Sequence, residues 1–239
     1  MPAEALASRP RRAMLFVGAL ALDALAPALA SGADLVCIDL EDPVPPARKD
    51  EAREAVFAAL ASLAVPAAAQ LVVRVNRVGT PEGAADLHAV FSRPHPLGAL
   101  MLPQVESVDE IRHVAALAAT TGIALDLYPI IETTQALHDV RAIARAHEGL
   151  AAMFFGGFDL SKALGCAMAW EPLLYARSRV VHAAASAGVK VLDSPFPDVA
   201  DLAGLAHDCQ RVKALGFTGK AAKHASQIAT IRAAFTPPS

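Results

Sequence analysis

The sequence predicts a (β/α)8 barrel in one domain spanning residues 1–239. Three observations predict it. Short β-like runs alternate with longer segments of helical pattern along the whole chain. Most of the runs are almost continuously apolar, such as "LVCIDL" and "LVVRVN", as strands covered on both faces of a parallel sheet are. Eight such runs leave about thirty residues for each strand–helix unit, which suits a compact barrel. A doubly wound open sheet is the alternative architecture. No G-x-G-x-x-G follows the first strand, so dinucleotide binding has little support.

In chain order the strands are expected at 14–17, 34–41, 70–76, 98–105, 124–132, 150–159, 190–196 and 218–224. Ala- and Leu-rich segments with charges at helical spacing predict helices at 48–63, 108–120, 135–147, 173–187, 199–215 and 225–235. Gly32, Gly122, Gly188 and Gly216 stand where four helices hand over to the next strand, the position of a C-terminal stop. No linker rich in Pro, Gly or Ser divides the chain.

Composition excludes whole classes of function. Hydrophobic residues are 54% of the chain, and 21 Lys+Arg stand against 24 Asp+Glu, a formal charge of −3. That balance offers no basic footprint for nucleic acid, and the apolar content excludes disorder. A charge interrupts every apolar run before it reaches the length of a membrane span. Three cysteines make neither a disulfide framework nor a metal-ligand pattern. Cys37 reads as a buried core thiol, Cys166 and Cys209 as surface thiols. With no signal peptide evident, a reducing cytoplasm is the expected compartment.

The informative charges fall at strand ends. The second strand ends in Asp39, Glu41 and Asp42, the third in Arg74 and Asn76, and the fourth in Gln104 and Glu106. Glu132, Asp159 and Asp193 close the next three, and Lys223 and His224 the eighth. In a parallel barrel all these ends converge on one mouth, where barrel enzymes place their chemistry. Glu132 and Asp159 close consecutive strands. Two neighbouring carboxylates suit a hard divalent cation such as Mg²⁺, or they cap the following helices. Arg74 can grip a substrate carboxylate, stabilise an enolate, or pair with Glu41 or Asp42. Those two acids can orient Arg74, hold a water, or act as base. His224 is an acid–base candidate or a structural hydrogen-bonder.

Seven ordered segments carry a resemblance. They are "RAMLFVGA" (12–19), "SGADLVCIDLEDPVPPARKDEAR" (31–53), "VVRVN" (72–76), "MLPQVES" (101–107), "PIIET" (129–133), "FFGGFDLSKALG" (154–165) and "LGFTGKAAKHASQI" (215–228). Together they resemble the citrate lyase β-subunit-like branch of the HpcH/HpaI aldolase superfamily. The resemblance implies a Mg²⁺-dependent barrel that cleaves or forms a carbon–carbon bond beside a thioester carried on coenzyme A or an acyl carrier protein. It places metal carboxylates on Glu132 and Asp159, the substrate arginine on Arg74 and an acidic pair on Glu41 and Asp42. Arg12 falls on a substrate contact. The backbone at Gly156, Gly157 and Phe158 would approach the substrate carboxylate. The resemblance also implies a homo-oligomer, trimer or hexamer.

Departures from that pattern carry expectations of their own. Val17–Gly18–Ala19–Leu20 lacks a proline and basic residues found there in the family, and Gln104 replaces a common lysine. Lys223–His224–Ala225 replaces an isoleucine, histidine, proline run. No C-terminal lid extension is expected after Ser239.

Overall fold

The computed structural model describes residues 10–237. Eight parallel strands close into a barrel in chain order. They are β1 (Ala13–Gly18), β2 (Leu35–Asp39), β3 (Gln70–Arg74), β4 (Ala99–Leu102), β5 (Asp126–Ile131), β6 (Ala152–Phe155), β7 (Lys190–Asp193) and β8 (Gly219–Ala222). The outer layer holds α1 (Leu25–Ala30), α2 (Lys49–Leu60), α3 (Pro81–Ser92), α4 (Val108–Thr121), α5 (Thr134–Ile143), α6 (Gly157–Leu164), α7 (Trp170–Ala187), α8 (Leu202–Leu215) and α9 (Ile228–Phe235). The (β/α)8 expectation holds; β1 is slightly longer than its expected run, and the other seven strands are shorter than theirs. The charged tails of those runs belong to turns or to the next helix.

Three helices, α1, α3 and α6, lie outside the ranges that the helical pattern predicts. Proline and glycine obscure α3, which opens on Thr80 accepting from the Gly83 N–H with Pro81 at its first position. By contrast α4 begins where its signals say, at a capping box between Ser107 and Glu110. The four stop glycines all have positive φ. Cys209, expected at the surface, is buried because it shares the inner face of α8 with Leu205 and Val212.

Strand parity decides which side chains enter the barrel. Met14, Leu35, Cys37, Val72, Ala99, Met101, Tyr128, Ile130, Ala152, Phe154, Leu192 and Ala221 pack as one interior cluster, separate from the larger cluster between sheet and helices. Successive strand residues alternate faces. The next inward step after Cys37 is therefore Asp39, after Val72 it is Arg74, and after Ile130 it is Glu132. These three lie at the C-terminal rim. The same parity turns Asp193 and Lys220 outward, where Lys220 bonds Asp193 at 2.6 Å and Asp208 of α8 at 2.8 Å. Arg177 of α7 closes this buried group on Asp193 at 3.4 Å.

The opposite end of the interior is polar too. Arg11 donates to the Tyr128 hydroxyl at 2.8 Å and to Asp126 at 2.7 Å. Tyr128 in turn donates to Gln70 Oε1 at 2.6 Å, and Gln70 Nε2 donates to Asp126 at 2.8 Å. Every polar group of this floor has a partner, as burial requires.

Candidate active site

Arg74 is the centre of the mouth. It stands opposite Asp39 in the β2–β3 register. Its Nε donates to Asp39 Oδ1 at 2.8 Å, and its Nη2 donates to Asp39 Oδ2 and, at 3.0 Å, to Asp42. Nη1 lies 2.7 Å from Glu41 Oε2. That oxygen is buried and lacks an aligned hydrogen bond, so the contact is ionic attraction without directional bonding. Below, the guanidinium rests 5.5 Å from the centroid of the Phe16 ring. Lys49 fixes the turn by donating to the carbonyls of Leu40 and Glu41 at 2.8 and 2.6 Å. Three acids thus converge on one arginine, and they are not equivalent. Asp39 is its bidentate anchor. The Asp42 side chain is 64% exposed and lies on the rim. Burial, opposed by the Arg74 charge, pushes the Glu41 carboxyl up to about 7.

Glu132 follows β5 and is 4% exposed. Burial first, and then the charge of Glu41, push its carboxyl up to about 8, with Asp159 adding to the repulsion. One oxygen, Oε1, accepts from the Gln104 backbone N–H at 2.7 Å. The other faces Gly156. A Cβ on Gly156 would lie 2.5 Å from Glu132 Oε2 and 2.4 Å from its Cβ, so only glycine lets the backbone after β6 pass over this carboxylate. Gly156→Ala is expected to lower turnover by at least tenfold while the far-ultraviolet dichroism of the barrel is retained, since the methyl presses on the Glu132 and Ile130 side chains. Steady-state assay beside circular dichroism checks this.

The chain then turns into α6. Ser194, after β7, clips the turn: its hydroxyl accepts from the Gly157 N–H at 2.8 Å and donates to the Phe155 carbonyl at 2.6 Å. Asp159 is the third residue of α6 and its side chain is 42% exposed. Lys162, one turn on, bonds it at 3.1 Å and lies 3.9 Å from the Phe158 ring centroid. Phe158 itself is 60% exposed.

The structure therefore brings Glu41, Asp42, Arg74, Glu132, Gly157, Phe158 and Asp159 to the C-terminal side of the barrel. It removes Arg12. The Arg12 backbone N–H and guanidinium both grip Asp34, at 2.9 Å for the N–H and 3.0 and 2.8 Å for the guanidinium, and the guanidinium also donates to Thr236. A residue that precedes a parallel strand lies at the barrel floor, the end away from the chemistry. Asp193 is likewise outside the mouth, facing helices. Glu106 pairs with Arg77 at 2.5 Å. His224 receives the Ser226 N–H and caps the helical turn after β8, the structural of its two readings. Sequence reasoning names Asp39 only as a strand-end charge and not as the anchor of Arg74, and it misses Ser194 and the Gln104 backbone. Parity from Cys37 is the signal that finds Asp39. Nothing local announces the other two.

Residues 12–225 match the HpcH/HpaI aldolase/citrate lyase family. The chain belongs to that family. It is an enzyme of the carbon–carbon lyase class. Human mitochondrial citramalyl-CoA lyase is 30% identical over 244 residues, covering 95% of this chain and 72% of the relative. The (3S)-malyl-CoA thioesterase of Cereibacter sphaeroides is also 30% identical, over 96% of this chain and 79% of its own. Among solved structures, the CitE protein of Mycobacterium tuberculosis in complex with magnesium, acetoacetate and coenzyme A superposes with a TM-score of 0.82. It is 29% identical, covering 97% of this chain and 83% of that one.

The donor set of this family member fits a hard cation. Glu132 has one oxygen held and one turned to the glycine backbone, Glu41 Oε2 lacks an aligned donor, and Asp159 stands near enough to repel Glu132. Buried like charges of this kind are relieved by a dication, and Mg²⁺ takes one or two carboxylates with water and substrate oxygens. No helix among the described residues is long and apolar enough to cross a membrane.

Proposed function

We propose that the protein is a Mg²⁺-dependent lyase that cleaves a 3-hydroxy-3-carboxyacyl thioester of the citramalyl, citryl or malyl type into a 2-oxo acid and an acyl thioester. The observation that carries this reading is the convergence of a buried acid pair, Glu132 with Glu41, on an arginine clamped by Asp39. Glu132 and Asp159 would hold Mg²⁺, which supplies Lewis acidity and a template for substrate oxygens. Coenzyme A or an acyl carrier protein carries the thioester.

The chain's own groups divide the remaining work. Glu41, poised near neutrality, takes the proton of the substrate 3-hydroxyl. Electrons of that O–H bond form the new carbonyl as the bond between C2 and C3 breaks. The 2-oxo acid leaves and its former bonding pair remains on C2 as a thioester enolate. Protonation of Glu41 releases Arg74 Nη1 from its ionic partner, and that charge is then free to face the enolate oxygen. Asp39 keeps the guanidinium fixed throughout. The substrate carboxylate is received by the first turn of α6, where the Gly157 N–H is committed to Ser194 and the Phe158 and Asp159 amides are the remaining donors.

A second reading is thioester hydrolysis, favoured by the similarity to a malyl-CoA thioesterase. One experiment separates them. Citramalyl, citryl and malyl thioesters are incubated with the protein and Mg²⁺, with products followed as 2-oxo acid and as free thiol. Release of pyruvate, oxaloacetate or glyoxylate with the thioester intact is the expected result. Free thiol with the hydroxy acid uncleaved overturns the lyase reading in favour of the hydrolase.

For the compartment we propose the cytoplasm, on the three cysteines that stand free. A homo-oligomer, trimer or hexamer, is proposed from the family pattern.

A further inference from the structure

Gln104 is the one non-glycine residue with positive φ among the described residues, at φ 50°. Residues other than glycine avoid this region, and where they persist in it the surroundings impose it. The position follows β4, after Leu102 and Pro103. Gln104 makes hydrogen bonds to two acids of the mouth. Its backbone N–H donates to Glu132 Oε1 at 2.7 Å, and its side-chain Nε2 donates to Glu41 Oε1 at 3.0 Å. One residue therefore ties two carboxylates that repel each other, using two neutral donors and no charge.

We infer that Gln104 is a positioning residue that holds Glu41 and Glu132 in a fixed pair and so prepares the mouth for Mg²⁺. The inference rests on the metal reading above and deepens it. Two carboxyls held at fixed positions offer their oxygens to a cation together, whereas mobile ones separate and offer them singly. The unfavourable φ is the local cost of aiming the N–H of residue 104 at Glu132 while its side chain reaches Glu41. Glu41 has Arg74 Nη1 on its other oxygen, so Gln104 and Arg74 hold the carboxylate from two sides.

The test is Mg²⁺ titration by calorimetry of the full chain, which reads binding and not turnover. Gln104→Gly keeps the N–H to Glu132, relieves the backbone and removes only the tie to Glu41. It is expected to raise the Mg²⁺ dissociation constant about tenfold, the range for a hydrogen bond to a charged group, with the melting temperature unchanged or higher. Gln104→Asn tolerates the same φ but is one methylene short of Glu41, and it should weaken Mg²⁺ equally. In a Glu41→Gln background, which has already lost the paired charge, Gln104→Gly should change the constant less than about twofold. An equal loss in both backgrounds, or wild-type affinity in Gln104→Gly, overturns the positioning role while leaving the metal reading in place. A wild-type protein that takes up no Mg²⁺ overturns both.

Discussion

Arg74→Lys is expected to lower kcat by about 10²- to 10³-fold, the scale for losing one preorganised donor at a developing oxyanion. Lysine keeps the charge but cannot reproduce the fork that meets both oxygens of Asp39 and reaches Glu41 and Asp42 at once. Arg74→Ala has a second consequence. Asp39 and Glu41 are 5% and 9% exposed and would become buried charges with no cation, a change that costs about 3–5 kcal/mol. The clamp separates the two variants: alanine loses stability as well as catalysis, whereas lysine loses mainly catalysis. Urea denaturation of both variants beside their kcat values checks the difference: an alanine variant as stable as wild type would show that the acids are not held by Arg74.

Glu132→Gln is expected to abolish Mg²⁺ binding and Mg²⁺-dependent turnover and, without metal, to make the protein more stable above about pH 8. The ordinary value for this carboxyl is 4.5, and burial with the neighbouring Glu41 charge raises it to about 8 in the folded protein. The folded state then holds a proton that the unfolded chain has released. Its stability contribution is full below about pH 4.5 and is lost as pH rises through about 8. Wild-type protein without metal should therefore melt at falling temperature between about pH 5 and 9. The glutamine variant, which still accepts the Gln104 N–H, should flatten that slope by at least ~3 °C over the interval. Mg²⁺ should restore the wild type most at the alkaline end, because it binds the ionised form. Calorimetric scans at both ends, with and without Mg²⁺, check this. Parallel slopes in the two proteins would place the titration elsewhere.

The barrel was legible because its evidence is repeated eight times: apolar runs, helical spacing between them, and glycine at four hand-overs. The site was legible where chemistry and parity agree, at Arg74 and Glu132. Glu41 and Asp42 were legible as a pair but not as two different environments, since burial separates them and burial is a tertiary fact. Asp159 was placed at a strand end; it sits instead in the first turn of α6, because the β6 hydrogen-bond ladder stops at Phe155 and the two glycines turn the chain. Arg12 failed because a motif states which residues keep company and not which end of the strand they occupy. Ser194 uses a hydroxyl that many surface serines share, and Gln104 its backbone N–H, so neither role has a signature in side-chain type.

The polar floor bears on how the mouth keeps its shape. Gln70, Tyr128 and Asp126 meet Arg11 across the lumen, joining β3 and β5 to the segment that enters β1. A slip of either strand by one residue would swing its share of these groups to the helix side and strand their partners in an apolar lumen. Among smooth aliphatic layers such a slip would meet far less resistance. The network therefore works as an indexing key for the stagger of the cylinder. Arg74 lies four residues above Gln70 on the same strand, and Glu132 four above Tyr128. The end of the barrel that meets no substrate thus sets the alignment of the end that does.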